Sequence, residues 1–284
     1  MATFTNRALL RYEGGTVSSN SVTGELRDPL SAAKTTAGTT YRVGDVLTYV
    51  ISLQNGGTAG TGDLSLTDDL GAYALGPITV TPLSYVAGSL LYYLNGVLQP
   101  TPAVVAGPPL VISGINIPAG GNAVLIYRAL VGEGASPLAG SSITNTAVIL
   151  GTCAADPITV STTVTIEEGV DLTIEKSLCP ASVACGDRLT YTFTINNYGN
   201  TAACVGEGIV LSDTFNPILH GITVTLNGVP LVEGVDYTYN EATGEFATTA
   251  GLITLPAATF TQDPLTGDFT TEPGTATLVV SGTL

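Results

Sequence analysis

The sequence writes one pattern of strands and turns twice, and a partial third copy stands out of place. GDVLTYVISLQNGG (44–57) matches GDRLTYTFTINNYGN (186–200), and LSLTDDLG (64–71) matches IVLSDTFN (209–216). YYLNGVLQP (92–100) matches VTLNGVPLV (224–232), and PAGGNAVLIYRAL (118–130) matches EPGTATLVVSGTL (272–284). The first repeat then runs on into ITNTAVILGTCAADPITVSTTVTIEE (143–168), where the second repeat has no more sequence. A match to that closing piece is FTNRALLRYEGGTVSSNSVTGEL, residues 4–26. Spacing agrees, because Glu25 precedes Lys34 by nine residues and Glu167 precedes Lys176 by nine. Internal duplication of this kind constrains the fold more than any single motif.

Each repeat reads as all-β. Runs such as Val46–Leu53 and Leu189–Ile195 alternate or cluster β-formers between Gly, Asn and Pro, the punctuation of an immunoglobulin-like sandwich. The two Asn-Gly pairs predict type I′ hairpin turns. No long segment has a helical apolar period. The reading is therefore an N-terminal donor segment (1–26), a first β-sandwich (27–168) and a second sandwich (169–284) lacking its final strands. Such a sandwich exposes core side chains and unpaired backbone groups, so an added hairpin is expected to complete it. About four residues, Leu26–Pro29, join the N-terminal hairpin to the first repeat and reach about 14 Å. Closure within one molecule requires the two domains to fold back side by side. Insertion into a neighbour repeats the junction already present between the repeats and generates a head-to-tail filament. Phe4, Ala8 and Leu10, with Leu9, Val17 and Val22, are the expected donor side chains.

The net charge of −15 argues against nucleic acid or anionic membrane as a partner. No basic stretch followed by an apolar segment opens the sequence, and no apolar run is long enough to span a bilayer, so a soluble chain is expected. Neither a catalytic Ser-His-Asp set, a phosphate loop nor a His-based metal motif can be assembled, so no cofactor, no metal and no conventional enzyme activity are expected. His220, the one histidine, reads as a loop residue. Cys153, Cys179, Cys185 and Cys204 permit two disulfides in three connectivities. One within repeat two, joining Cys179 or Cys185 to Cys204, one across the junction of the repeats, and free thiols all remain open.

The chain holds two lysines, Lys34 and Lys176, at equivalent positions of the two repeats. Alternation along a strand places Lys34 with Leu30 and Ala32, and Lys176 with Leu172 and Ile174, so each ammonium faces an apolar interior and needs a partner. The same parity turns Asp68 inward with Leu64 and Leu66, Asp213 with Ile209 and Leu211, and Asn145 with Ile143, Ala147 and Ile149. In the N-terminal copy the Asn is Asn6. A buried ion pair with an Asn hydrogen-bond partner satisfies this pattern.

So does a covalent link, because the constellation resembles the sites of isopeptide-forming domains in bacterial pilins and surface adhesins. That resemblance implies attack of a Lys amine on an Asn carboxamide with help from a neighbouring acid, and loss of ammonia. It pairs Lys34 with Asn145, assisted by Asp68, and Lys176 with Asn6 of the next subunit, assisted by Asp213. The GDxLTY segments, LTDDLG and TNTA also resemble a Thr-rich repeat of unknown function found in tandem in bacterial cell-surface proteins. The short two-repeat form beginning ATFTN is similar to fibre subunits of clostridial spore appendages. This implies a spore-surface or other extracellular location, reached without a signal peptide, and an anchoring protein there as a further partner. The chain departs from most surface members in showing neither signal sequence nor wall anchor. The expected function is a self-assembling fibre subunit whose main partner is itself. The rival expectation is a monomeric adhesin whose N-terminal strand folds back on its own second domain.

Overall fold

The computed structural model describes residues 2–26, 29–151 and 157–284; Cys153 and the linker residues Arg27 and Asp28 lie outside them. The described chain is almost entirely β. Two compact units emerge, one comprising Met1–Ser136, Ser141–Ile166 and Pro264–Asp268, the other Pro137–Gly140, Glu167–Asp263 and Phe269–Leu284. Among the described residues no helix is long and apolar enough to cross a membrane.

The chain opens with a long hairpin. Strand β1 (Ala2–Asn6) pairs with β4 (Val22–Leu26), and β2 (Leu9–Tyr12) pairs with β3 (Gly15–Ser18). These four strands pair with each other and join no larger sheet. Phe4 stands opposite Gly24 and Asn6 opposite Val22. A Cβ at Gly24 would collide with the Phe4 ring, so the missing side chain is what lets the ring lie across the partner strand. Phe4, Leu9, Leu10, Val17 and Val22 are all more than half exposed.

The first unit continues with β5 (Leu30–Thr36), β6 (Thr40–Tyr41), β7 (Val46–Asn55), β8 (Leu64–Asp68), β9 (Tyr73–Leu75), β10 (Ile78–Val80), β11 (Leu83–Tyr85), β12 (Leu91–Leu94) and β13 (Val97–Gln99). It closes with β14 (Ala103–Val105), β15 (Leu110–Ile115), β16 (Asn122–Val131), β17 (Ser142–Leu150) and β18 (Ile158–Ile166). One sheet runs β13-β12-β16-β7-β5, with β11 also on β16, and the other runs β14-β15-β8-β17-β18-β6. Period-two alternation builds the core. Leu47, Tyr49, Ile51 and Leu53 of β7, Ala123, Leu125, Tyr127 and Ala129 of β16, and Leu64 and Leu66 of β8 are all buried.

The second unit repeats part of this frame: β19 (Leu172–Cys179), β20 (Arg188–Asn197), β21 (Ser212–Thr214), β22 (His220–Leu226), β23 (Val229–Pro230), β24 (Tyr237–Asn240), β25 (Glu245–Thr248), β26 (Thr259–Gln262), β27 (Phe269–Glu272) and β28 (Gly274–Thr283). Its first sheet is β19-β20-β28-β22-β23, and β26 pairs with β27 alone. The facing sheet is only β21-β25-β24, which corresponds to β8-β15-β14 of the first unit. The side of β21 that in β8 carries β17 has no strand among the described residues. The core face of β19 is correspondingly open. Leu172 is 38% exposed, whereas its counterpart Leu30 is 6% exposed, and Ile174 and Leu178 are open too.

Both Asn-Gly turns have the expected backbone, with positive φ at Asn95 and Gly96 and at Asn227 and Gly228. The repeats also share a polar staple. The buried Asn55 amide donates to the carbonyls of Ala59, Ile117 and Pro118 and its Oδ1 accepts from Gly57 N–H. Asn197 donates to Thr201 and Pro256 and accepts from Asp171 and Gly199. Replacing Asn55 by Leu strands these groups, so we expect a loss of about 2–4 kcal/mol. A lowered urea midpoint checks it.

Candidate functional site

In the first unit the polar groups facing the core come from both sheets. Lys34 enters from β5, Tyr49 from β7 and Tyr127 from β16; Asp68 and Asn145 enter from β8 and β17. Lys34 is 5% exposed, and Asp68, Asn145, Tyr49 and Tyr127 are fully buried. Lys34 Nζ donates to Asp68 Oδ2 at 2.7 Å. Tyr127 donates to the same oxygen at 2.5 Å, and Asn145 Nδ2 donates to Tyr127 Oη at 3.2 Å. Asp68 Oδ1 accepts from the Leu70 N–H. Tyr49 stacks on Tyr127 with ring centroids 5.4 Å apart, and the Lys34 amine lies 5.2 Å from the Tyr49 centroid. Two buried oxygens, Asn145 Oδ1 and the Tyr49 hydroxyl, have no hydrogen-bond partner.

Burial dominates the electrostatics. It lowers the Lys34 amine below its ordinary 10.5, against the opposing pull of Asp68. It also raises the Tyr127 phenol above the usual range, and the negative charge of Asp68 adds to that. Burial therefore eases loss of the amine proton and opposes loss of the phenol proton. Such a set can hold a buried ion pair. It can equally present a nucleophilic amine and a proton donor to a carboxamide.

The structure thus brings Lys34, Asp68 and Asn145 together and adds three groups that sequence reasoning passed over. Tyr127 links Asp68 to Asn145, and Tyr49 flanks them. Asp69, one residue on from Asp68 and so of opposite parity, is half-buried. Its Oδ1 accepts from the N–H groups of Gly71 and Thr146, and its own N–H donates to the Thr146 carbonyl. Asp69 therefore pins β17 beside Asn145. The corresponding residue in the second unit is Thr214.

The second unit holds a different arrangement. Lys176 Nζ donates to Asp213 Oδ2, but the lysine side chain is 40% exposed and that of Asp213 19%. The amine sits 4.5 Å from the Tyr191 ring centroid, 5.4 Å from Phe193 and 5.6 Å from Phe215. Among the described residues no carboxamide hydrogen-bonds to this pair. The sequence match sets Tyr127 against Ser281, but the sheets differ by one residue. Tyr127 stands opposite Tyr49, and Val280 stands opposite Tyr191. The second unit therefore has an apolar side chain where the first has the phenol.

Asn6 lies on β1, exposed like its neighbours. Cys179, Cys185 and Cys204 are exposed free thiols, so the disulfide within repeat two is not formed in this structure. His220 is exposed at the start of β22. No group of three or more His, Cys, Asp or Glu gathers as a metal site among the described residues.

No family model matches the sequence, and no curated protein matches it. Solved structures do show similarity. The major pilin subunit BcpA*(D312A) of Bacillus cereus aligns at 13% identity and a TM-score of 0.40, covering 95% of this chain and 73% of that one. The full-length major pilin SpaD of Corynebacterium diphtheriae aligns at 12% identity and a TM-score of 0.36, covering 78% and 49%. ACE19, the collagen-binding subdomain of the Enterococcus faecalis surface protein ACE, aligns at 9% identity and a TM-score of 0.32, covering 51% and 100%.

The lowered Lys34 value gives a pH dependence. An unfolded chain keeps the proton up to about 10.5 while the folded chain releases it earlier, so between those points unfolding takes up a proton and stability rises with pH. We expect Lys34 to add stability with rising pH in an Asn145→Ala chain, which cannot link through that residue, on top of the opposite trend set by buried tyrosines such as Tyr127, whose values burial raises. Adding Lys34→Met should remove that gain, read by denaturant titration of the two variants side by side.

Proposed function

We propose that the chain is a structural subunit of a fibre on a cell or spore surface, assembled head to tail with copies of itself. Residues 1–26 act as donor, 27–168 form a closed sandwich, and 169–284 form the acceptor. One observation carries this reading: the second unit leaves open the place that β17 and β18 fill in the first, and the N-terminal hairpin, whose sequence repeats those strands, has its apolar side chains exposed. Residues 4–11 of one copy take the place of β17, so that Ala8 and β2 lie along the free side of β21 in the next, as Ala147–Leu150 lie along β8. Phe4, Ala8 and Leu10 then face the core, and Leu172 and Ile174 are covered. Each large side chain fully enclosed contributes about 1.5–3 kcal/mol. Several together are needed, because association itself costs roughly 4–15 kcal/mol.

Covalent links make the assembly permanent. Lys34 attacks the Asn145 carboxamide with Asp68 assisting the proton transfer, stapling the first sandwich. After docking, Lys176 attacks Asn6 of the donor with Asp213 in the same role. The order is fixed by burial, since only the inserted hairpin seals Lys176 from water and brings Asn6 to it. The chemistry is confined to the chain's own side chains. An anchoring protein on the surface would hold the end of the fibre.

Two measurements test this. Each link releases one ammonia, so intact mass should fall by about 17 Da per bond. Purified chain should form filaments that survive hot detergent as ladders. Asn6→Ala should still polymerise but dissolve to monomers, and deletion of residues 1–26 should abolish polymerisation. A monodisperse parent with its own hairpin protected from exchange would support the monomeric adhesin instead.

A further inference from the structure

Inside the first sandwich the Tyr127 hydroxyl touches both ends of the reaction just proposed. Lys34 Nζ, Asp68 Oδ2, Tyr127 Oη and Asn145 Nδ2 form an unbroken line of hydrogen bonds of 2.7, 2.5 and 3.2 Å. It runs from the amine that attacks to the nitrogen that leaves. We infer that Tyr127 is a catalytic residue for the Lys34–Asn145 link, passing a proton from Asp68 to the departing Asn145 nitrogen. The inference rests on the isopeptide reading of the site.

An amide nitrogen leaves only as ammonia, so Nδ2 must gain a proton before its bond to Cγ breaks. In the resting carboxamide its lone pair is delocalised, and Nδ2 donates to the phenol oxygen. Attack by Lys34 Nζ forms the new bond to Cγ and moves the carbonyl electrons onto Oδ1. Nδ2 becomes pyramidal, and its freed lone pair meets the hydroxyl it previously bonded. Tyr127 then gives its proton to Nδ2 and takes one from Asp68, which has accepted one from the attacking nitrogen. The Cγ–Nδ2 bond breaks with its electron pair on ammonia, and Oδ1 restores the carbonyl. One amine and one carboxamide yield a secondary amide and ammonia, with Asp68 and Tyr127 returned to their starting states. No oxidant or further reactant enters. Burial suits each participant, easing loss of the Lys34 proton and opposing early loss of the Tyr127 proton.

The second unit supplies an internal comparison. Val280 stands opposite Tyr191 there, so the Lys176 link has no such phenol and should be indifferent to changes at position 127.

The test follows bond formation in newly synthesised full-length chain, by digestion and mass spectrometry of the Lys34–Asn145 cross-linked peptide over time and across pH. Tyr127→Phe is expected to slow this link by about 10²-fold or more, the usual contribution of a positioned proton donor. Formation of the Lys176–Asn6 link should be unchanged. Replacing Tyr127 with 3-fluorotyrosine, which keeps a hydroxyl but makes it more acidic, should restore the rate and displace its pH profile to lower pH. A Tyr127→Phe chain that links Lys34 as fast as the parent overturns the inference. If that variant does not fold by circular dichroism, the fluorinated chain decides, and an unmoved pH profile counts against the relay. A parent without the cross-linked peptide would instead remove the isopeptide reading itself.

Discussion

Desolvation of one ammonium group shapes much of what is distinctive in the first sandwich. A lysine pointing between two sheets is tolerated only where something compensates it. Here the compensation comes from Asp68, on the opposite sheet, which is itself anchored by the Leu70 N–H and by the Tyr127 hydroxyl. Each contact demands a particular strand register. β8 must present Asp68 rather than Thr67 inward, and β17 must lie so that Asn145 reaches Tyr127. The polar set therefore specifies how the two sheets meet, while Leu, Ile and Tyr side chains around it supply most of the burial.

The second unit shows what the same plan looks like with one of its two sheets short of strands among the described residues. Its β19–β20–β28 sheet keeps the ladder of buried Leu189, Tyr191, Phe193 and Ile195 against Ala276, Leu278 and Val280. Yet β19 turns Leu172, Ile174 and Leu178 to solvent. An exposed apolar face beside an unpaired strand edge is a liability in a free molecule. Lys176, half in water over three aromatic rings, fits an unfinished interior better than a surface ion pair chosen for stability.

Much of this was legible in the sequence because strand alternation is a strict code. Parity alone turned Lys34, Asp68 and Asn145 to one interior, and the Asn-Gly pairs marked two turns whose backbone needs left-handed residues. The misses have physical reasons too. A gapless match of residues 118–130 with 272–284 slips by one because Val and Leu fill both faces of the second copy. The inward position of Leu278 resolves the slip and exposes the exchange of Tyr127 for Val280. Asp69 follows Asp68, and parity alone turns it to the outer face. Its carboxylate instead caps a turn and clamps Thr146, a long-range bond that local pattern does not encode. The cysteines are likewise beyond sequence reading, since spacing does not fix which thiols meet.

The Phe4 ring lying across Gly24 has a kinetic side. In the assembly proposed above, residues 1–26 would arrive as a pre-paired ribbon rather than as loose chain. Its two arms have already surrendered most of their backbone freedom, so little further ordering is left for the moment of contact. Encounter and fit would then set the pace of growth, with no separate folding step at the fibre tip.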